Sequence, residues 1–368
     1  MEHHAIDGSS AFHILNSWSE IARGRDISVP PFLDRSILRP RNPPQPKFNH
    51  IEYQPSSTNK MISQQNTQDQ STKSAVFKMT KDQLNIIKSK SNVMNYSTFE
   101  ILAGHTWKCV CKARAQPYDQ ETTLYFPVSG RSPSRLKPQL PPGFFGNAIF
   151  AATSAALSGD LQSKPLSYAV SLIHETLFKM DNGYLRSAID YLELQPNISL
   201  IRRGAHTYLC PNLGITSWSK MGSHDADFGW GKPCYMGPTE LLFEGKSYII
   251  PSASDDGSLC LAIALHDEHL KTYYSAYHGY GFIKNCKFDL QWGVADSTSD
   301  SKQERCVVPG CVSPLEGGSM KDCSHALQSC RAAHDQCGEA GLFGQNFVLS
   351  RGFLLASCAC IRRNWAMT

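Results

Sequence analysis

The 368-residue sequence predicts an α/β protein of mixed sheets flanked by helices. Three observations carry that expectation. Stretches with helical apolar spacing interleave with short strand-like runs, yet without a strict strand–helix–strand repeat. Capping and hairpin signals punctuate them at short intervals. Hydrophobic residues make up 41% of the chain and charged residues 18%, the balance of a folded globular protein.

In order along the chain, Ser9 or Ser10 can cap a first helix. Phe12, Ile14, Leu15, Trp18, Ile21 and Ala22 follow at helical spacing, and Gly24 ends it. Pro30, Pro31, Pro40, Pro43, Pro44 and Pro46 are too dense for regular structure and predict an extended crossover. Residues 54–75 are rich in Ser, Gln, Asn and Thr and read as a surface linker. A strand is expected over 76–79. Thr80-Lys81-Asp82-Gln83 forms a capping box that opens a helix through Ile87, and Ser97-Thr98-Phe99-Glu100 opens a longer one with Ile101, Leu102 and Trp107 inward. Strands are expected over 122–128 and 147–157, and a helical stretch over 166–194 with a break near Asn182-Gly183. Further strands fall within 206–218 and at 246–250. Asp255-Asp256-Gly257 then turns the chain into 258–265 as a hairpin, and 266–276 suits a last helix. Apolar periodicity lapses beyond Gly281 until 347–355. The chain thus divides into 1–50, a crossover linker 51–75, a second unit 76–281 and a tail 282–368 of unknown fold.

Several function classes are disfavoured. The net charge of +4, from 36 basic and 32 acidic residues, is too mild for a nucleic-acid binder but leaves room for a local basic pocket. No basic segment precedes an apolar run at the N-terminus, and the best apolar stretch, 347–361, is broken by Arg351; no secretion signal or membrane span is expected, and the cytoplasm is the expected compartment. Of 13 cysteines, only Cys109, Cys111, Cys210, Cys234 and Cys260 precede residue 282. In the tail Cys323, Cys330 and Cys337 recur every seven residues, but no pair has the C-x-x-C spacing of a zinc site, so no metal is expected. His174-Glu175-Thr176-Leu177-Phe178 lacks the second histidine of a zincin. His266-Asp267-Glu268-His269 reads as an exposed helix turn. Lys108 and Lys112 read as a solvated helix face.

Two strings carry chemistry. His3-His4-Ala5-Ile6-Asp7-Gly8 opens the chain. A histidine there can accept a hydroxyl proton, and the glycine lets the chain turn sharply. Asp227-Phe228-Gly229-Trp230-Gly231 follows far downstream. In this order and at this separation the pair resembles the plant BAHD acyltransferases, which move an acyl group from coenzyme A to an alcohol or amine. The runs 3–18, 30–39 and 43–46, Gln139-Leu140-Pro141-Pro142-Gly143, Phe145-Gly146-Asn147, Tyr184-Leu185-Arg186-Ser187-Ala188, 203–208 and 211–218 are similar to one branch of that family, the shikimate/quinate hydroxycinnamoyltransferases of phenylpropanoid and lignin chemistry. The resemblance covers about residues 1–281.

The resemblance implies the two-domain, chloramphenicol acetyltransferase-like fold with a tunnel between the domains, residues 1–50 being the remnant of an incomplete first domain. It implies transfer of a p-coumaroyl or caffeoyl group from acyl-CoA, as co-substrate, to shikimate or quinate. No cofactor would be permanently bound, because the thioester is already activated, and the protein would be a monomer. His3 would be the general base, its alternative being a surface histidine at a frayed terminus, and His4 a packing neighbour. Asp7 would pair with Arg131 and hold the loop with Gly8. Asp227, sometimes ascribed a catalytic role in the family, would rather brace the turn carrying Gly229 and Gly231. Arg203 would grip the acceptor carboxylate in two parallel hydrogen bonds. Thr216 and Trp218 would face the acceptor side, Trp218 offering its indole N–H to the oxyanion or simply filling core. Ser97, Thr98, Phe99, Glu100, Gly130, Ser132, Arg135, Ser217 and Lys220 would face acyl-CoA. Three departures stand out: Ser129 replaces the customary aspartate, the 130–136 loop is longer by about two residues, and Lys220 replaces arginine. The family also places the histidine motif mid-chain. Met1 falls where it often carries a methionine, so the sequence reads as begun at an internal start, with a tail of read-through or shifted-frame type. Alternatives are a sister transferase using another alcohol or an amine, and an inactive fragment.

Overall fold

The computed structural model describes residues 3–54, 72–90, 95–133, 135–201, 205–233, 235–238, 241, 243–254 and 256–279. The expected tail over 282–368, most of the linker, and Arg203 lie outside the described residues. The elements are α1 (Gly8–Ala22), β1 (Thr72–Met79), α2 (Lys81–Lys90), α3 (Thr98–Ala113), β2 (Glu121–Ser129), β3 (Ile149–Leu157), α4 (Ser158–Ser163), α5 (Leu166–Lys179), α6 (Asn182–Glu193), α7 (Ala205–Tyr208), β4 (Leu213–Ser217), β5 (Lys246–Pro251), β6 (Leu259–His266) and α8 (Asp267–Gly279).

The six strands form one sheet in the order β1-β6-β5-β4-β2-β3. β4 runs parallel to β2 and to β5, and the remaining pairs are antiparallel. The sheet is therefore mixed, as the irregular order of elements implies. Side chains alternate across it. Leu124, Phe126 and Val128 of β2, Leu213 and Ile215 of β4, and Leu261, Ile263 and Leu265 of β6 join one core with Ile101, Leu102, Trp107 and Val110 of α3. Their neighbours Ile250, Ala262 and Ala264 belong to a second, smaller cluster with Val76 and Leu241. One face is thus roofed by helices, with α3 against α5 and α8; on the other, among the described residues, lie small apolar clusters, one of them including Phe12 of α1.

α3 runs antiparallel to β2. Phe99 at its start packs on Phe126 with ring centroids 5.6 Å apart, and Trp107 near its end donates from its indole N–H to Thr122 Oγ1 at 3.2 Å. Its N-terminus carries the expected capping box: Ser97 Oγ accepts the Glu100 N–H, and Glu100 accepts the Ser97 N–H. The Thr80–Gln83 box is also formed, with both bonds in place.

Four local expectations are corrected. α1 is capped by Asp7, whose carboxylate accepts the Ser10 N–H at 3.1 Å, so Ser9 and Ser10 lie inside the first turn. The break in 166–194 comes at Met180–Asp181. Asp181 caps α6, so Asn182 and Gly183 begin a helix rather than interrupt one. β1 begins at Thr72, inside the stretch expected as linker, whereas the strand expected within 206–218 is present as Leu213–Ser217. Lys108 is buried, not solvated: its ammonium donates to the carbonyls of Leu161 and Lys164 and so satisfies the open C-terminal end of α4. Burial lowers its proton affinity.

Two buried networks fasten distant segments, the first tying the crossover to the body. His50 Nδ1 meets Glu52 Oε1 at 2.8 Å, His50 Nε2 meets Ser187 Oγ at 2.9 Å, and the Tyr184 hydroxyl donates to Glu52 Oε2 at 2.8 Å. The Ser187 hydroxyl also accepts the backbone N–H of Lys47 at 2.7 Å. A serine, histidine and glutamate in this order suggest hydrolysis, but all three side chains are sealed in the core and the serine oxygen is already engaged, so the set is a clamp. Farther in, Arg114 donates to Glu244 at 2.6 Å and to the Asn212 carbonyl, all within the core.

Candidate active site

The turn that carries the histidine motif is built against the segment between β2 and β3. Asp7 is fully buried, and its Oδ2 accepts from Arg131 Nη1 at 2.6 Å and from the Ala148 N–H at 2.9 Å. Arg131 spends its other terminal nitrogen on Ser10 Oγ and on the carbonyls of Phe144 and Gly146. The aspartate is thus spent on Arg131, the Ala148 N–H and the first turn of α1. His3 and His4 lie in an exposed turn, and the Asn147 amide donates to both of their carbonyls at 2.9 Å. Beside this turn a cavity of about 250 Å³ is lined by Ser9, His13, Arg131, Gln139 and Phe144. It is smaller than the roughly 300 Å³ at which ligand pockets begin.

The second group lies on the face of the sheet opposite α3. Thr216 of β4 and Tyr248 of β5 are direct neighbours in register. Lys246, two residues before Tyr248 and so on the same face, donates to Thr216 Oγ1 at 2.8 Å. Its ammonium sits over the rings of Tyr208 and Tyr248 at 4.7 and 5.1 Å from their centroids. Burial pushes the Tyr248 hydroxyl up to about 12, so it stays neutral. Trp218 is buried, packed edge-on to Phe12 of α1 at 5.4 Å and to Tyr248 at 5.5 Å. Reading the sequence did not single out Lys246 or Tyr208; the alternation of β5 would have placed Lys246 on this face.

These two groups share one end of the sheet. Gly130 and Arg131 follow β2, Trp218 follows β4, and the two strands are parallel. Phe12 reaches Trp218 from the helix that the motif caps. Loops after parallel strands are where open sheets place their ligands.

Asp227 serves a different purpose. Its Oδ1 accepts the N–H groups of Gly229 and Gly231 at 2.8 and 2.9 Å, and Arg23 of α1 donates to Oδ2 at 3.3 Å. The two N–H groups, helped by Arg23, hold its carboxyl below the ordinary range. Gly229 and Gly231 take φ of 102° and 99°, which side chains resist. Phe228 packs edge-on to Trp18 at 5.3 Å. The turn is fastened to α1.

The residues expected near acyl-CoA are dispersed. Ser97 and Glu100 are used in the capping box, with Glu100 also meeting His174 at 2.7 Å, and Phe99 packs into the core. Arg135 donates to the Leu177 and Met180 carbonyls at the end of α5. Gly130 is tight: an added Cβ would stand 2.9 Å from the Phe150 ring. Ser132 and Lys220 are exposed, and Ser217 pairs with Ser219 at 2.8 Å. Thr98 accepts from Lys88 at 3.3 Å. Ser132, Ser217 and Lys220, in the segments after β2 and at the end of and after β4, leave polar groups near solvent.

The Transferase family model matches residues 1–277, and the chain belongs to that family, the BAHD acyltransferases. It is 53% identical over 280 residues to a shikimate O-hydroxycinnamoyltransferase of Nicotiana tabacum, covering 74% of this chain and 64% of that protein. It is 47% identical over 281 residues to a rosmarinate synthase of Plectranthus scutellarioides, covering 74% and 64%. The fold matches the crystal structure of F. graminearum TRI101 complexed with coenzyme A and T-2 mycotoxin, with a TM-score of 0.59 at 19% identity over 73% of this chain and 61% of that one. The chain thus spans just under two thirds of the length of the relatives it matches, and it shares the acyltransferase fold over that span. No described helix is long and apolar enough to cross a membrane.

Proposed function

We propose that the protein transfers a hydroxycinnamoyl group from its CoA thioester to a hydroxyl of shikimate or quinate, with His3 as general base. The observation that carries the reading is the shared end of the sheet: the His3 turn and the Thr216–Lys246–Trp218 face meet there through Phe12. An alcohol becomes nucleophilic as its proton is accepted, and an imidazole with a reference pKa of about 6.5 suits neutral pH. The acceptor oxygen bonds to the thioester carbonyl while its proton passes to the imidazole. The tetrahedral oxyanion then collapses, the C–S bond breaks, and the imidazolium protonates the departing thiolate. Thr216 orients an acceptor hydroxyl. Lys246 and Arg203 supply positive charge for its carboxylate. Trp218 donates to the oxyanion. Asp7, Gly8 and Arg131 hold the turn, and Asp227 with its glycines holds α1. Ser132, Ser217 and Lys220 meet the donor's phosphates.

The similarity to a rosmarinate synthase supports a second reading, in which another alcohol or an amine is the acceptor. Thiol release from p-coumaroyl-CoA with shikimate, quinate or spermidine separates the two. Turnover with the acids alone is expected, and turnover with spermidine alone overturns the first reading. Arg203→Ala is expected to raise the shikimate KM on the order of tenfold or more while leaving the KM for the CoA ester unchanged, since a bidentate charged pair is lost. Equal shikimate turnover by that variant refutes the carboxylate assignment.

A further inference from the structure

We infer that Asn147 is the positioning residue of the proposed base, His3; the inference rests on the acyl-transfer reading above. Its side-chain nitrogen lies 2.9 Å from the carbonyl oxygens of both His3 and His4, residues 144 and 143 positions away in sequence. A carboxamide nitrogen has two protons, and two successive carbonyls receive one each. Both contacts are to acceptors, which fixes the amide orientation. Holding two consecutive carbonyls on one side sets the peptide planes on either side of His4. It therefore fixes where the His3 Cα sits, the root from which that side chain leaves the backbone.

The rest of the cradle is anchored independently. Gly146 N–H donates to Ser10 Oγ at 3.1 Å, Ser10 Oγ donates to the Gly146 carbonyl at 3.0 Å, and the Ala148 N–H reaches Asp7 Oδ2 at 2.9 Å. Those bonds fix the motif from Asp7 onward. Asn147 reaches the part upstream of Asp7, where the histidines are exposed. Three successive residues, Gly146, Asn147 and Ala148, thus engage the motif at three points, and the middle one serves His3. No residue of different shape replaces it. Aspartate would present acceptors to two carbonyls, serine has one proton, and alanine has none. A general base must sit within hydrogen-bond reach of its proton, and a displacement of about 1 Å can cost roughly a hundredfold in rate.

The test uses the full chain in two measurements. Hydrogen–deuterium exchange of the N-terminal peptide reads the hold directly: Asn147→Asp and Asn147→Ala are expected to speed exchange over residues 4–6 roughly tenfold, with protection of β2 and β6 unchanged. Steady-state kinetics read its consequence. kcat is expected to fall on the order of 10- to 100-fold, with the KM for the CoA ester within about twofold of wild type and the pH profile of the residual rate displaced. Asn147→Asp is nearly isosteric, so it decides the matter if Asn147→Ala melts early. Unchanged exchange overturns the inference, and so does faster exchange with an unchanged kcat. A wild-type chain that turns over no acceptor counts against the acyl-transfer reading instead, and the exchange measurement still shows whether Asn147 holds the turn.

Discussion

Asp227 illustrates how a residue singled out by a motif can owe its position to the backbone. Its carboxylate accepts two N–H groups from glycines in left-handed conformation and one guanidinium bond from α1. Its folded pKa lies below the unfolded value of about 3.9. The unfolded chain therefore binds more protons in that window. The carboxylate's contribution to stability is complete above pH ~4 and is lost as the pH falls through the folded value. Melting curves of wild type and Asp227→Asn should differ by a constant amount at neutral pH, and the gap should close in acid. A gap that widens in acid contradicts the bracing role. Lys108 shows the reverse error. Reading it as solvated was reasonable on charge alone, because the carbonyls that receive it belong to α4 and its end, more than 50 residues later. Asp7 was legible as a buried partner of Arg131 only through the resemblance; nothing in the local spacing points to that arginine.

Elements were legible where their signals are local. The capping boxes at Thr80 and Ser97 formed as written, because both partners lie within one turn. The β5–β6 hairpin followed its Asp256-Gly257 turn, where Gly257 takes φ of 76° and the Ser258 N–H bonds the Asp256 carboxylate at 2.8 Å. The clamp of His50, Glu52 and Ser187 was not legible, since it joins a proline-rich crossover to α6 across 137 positions. Neither was the union of α3 with the segment before β5. There Gly245, at φ 76°, lies so close to Tyr208 O and to Arg114 that a Cβ would collide. The adjoining Arg114–Glu244 pair is fully desolvated. Arg114→Met should lower unfolding free energy by about 3–5 kcal/mol because it strands a buried carboxylate, and adding Glu244→Gln should recover much of that loss. Urea unfolding of the single and double variants measures both. A single variant within experimental error of wild type would mean that water reaches the pair.

Over the whole molecule, the mixed sheet and its helical roof were readable from pattern, but the strand order was not. Parallel pairing of β4 with β2 and β5 joins segments far apart in sequence, and no local signal specifies it. That pairing brings the turns after β2 and β4 together, and with them the two halves of the proposed site. The polar residues expected at acyl-CoA were assigned from resemblance, and several of them spend their side chains on helix ends.

The central claim is proton abstraction by His3, and its most direct measurement is the rate of CoA release from p-coumaroyl-CoA with shikimate by wild type and His3→Ala. The account predicts turnover by the wild-type chain and a loss of kcat of roughly a hundredfold or more in the variant, the usual worth of a general base, with the melting temperature unchanged. Equal rates in the two proteins would contradict it.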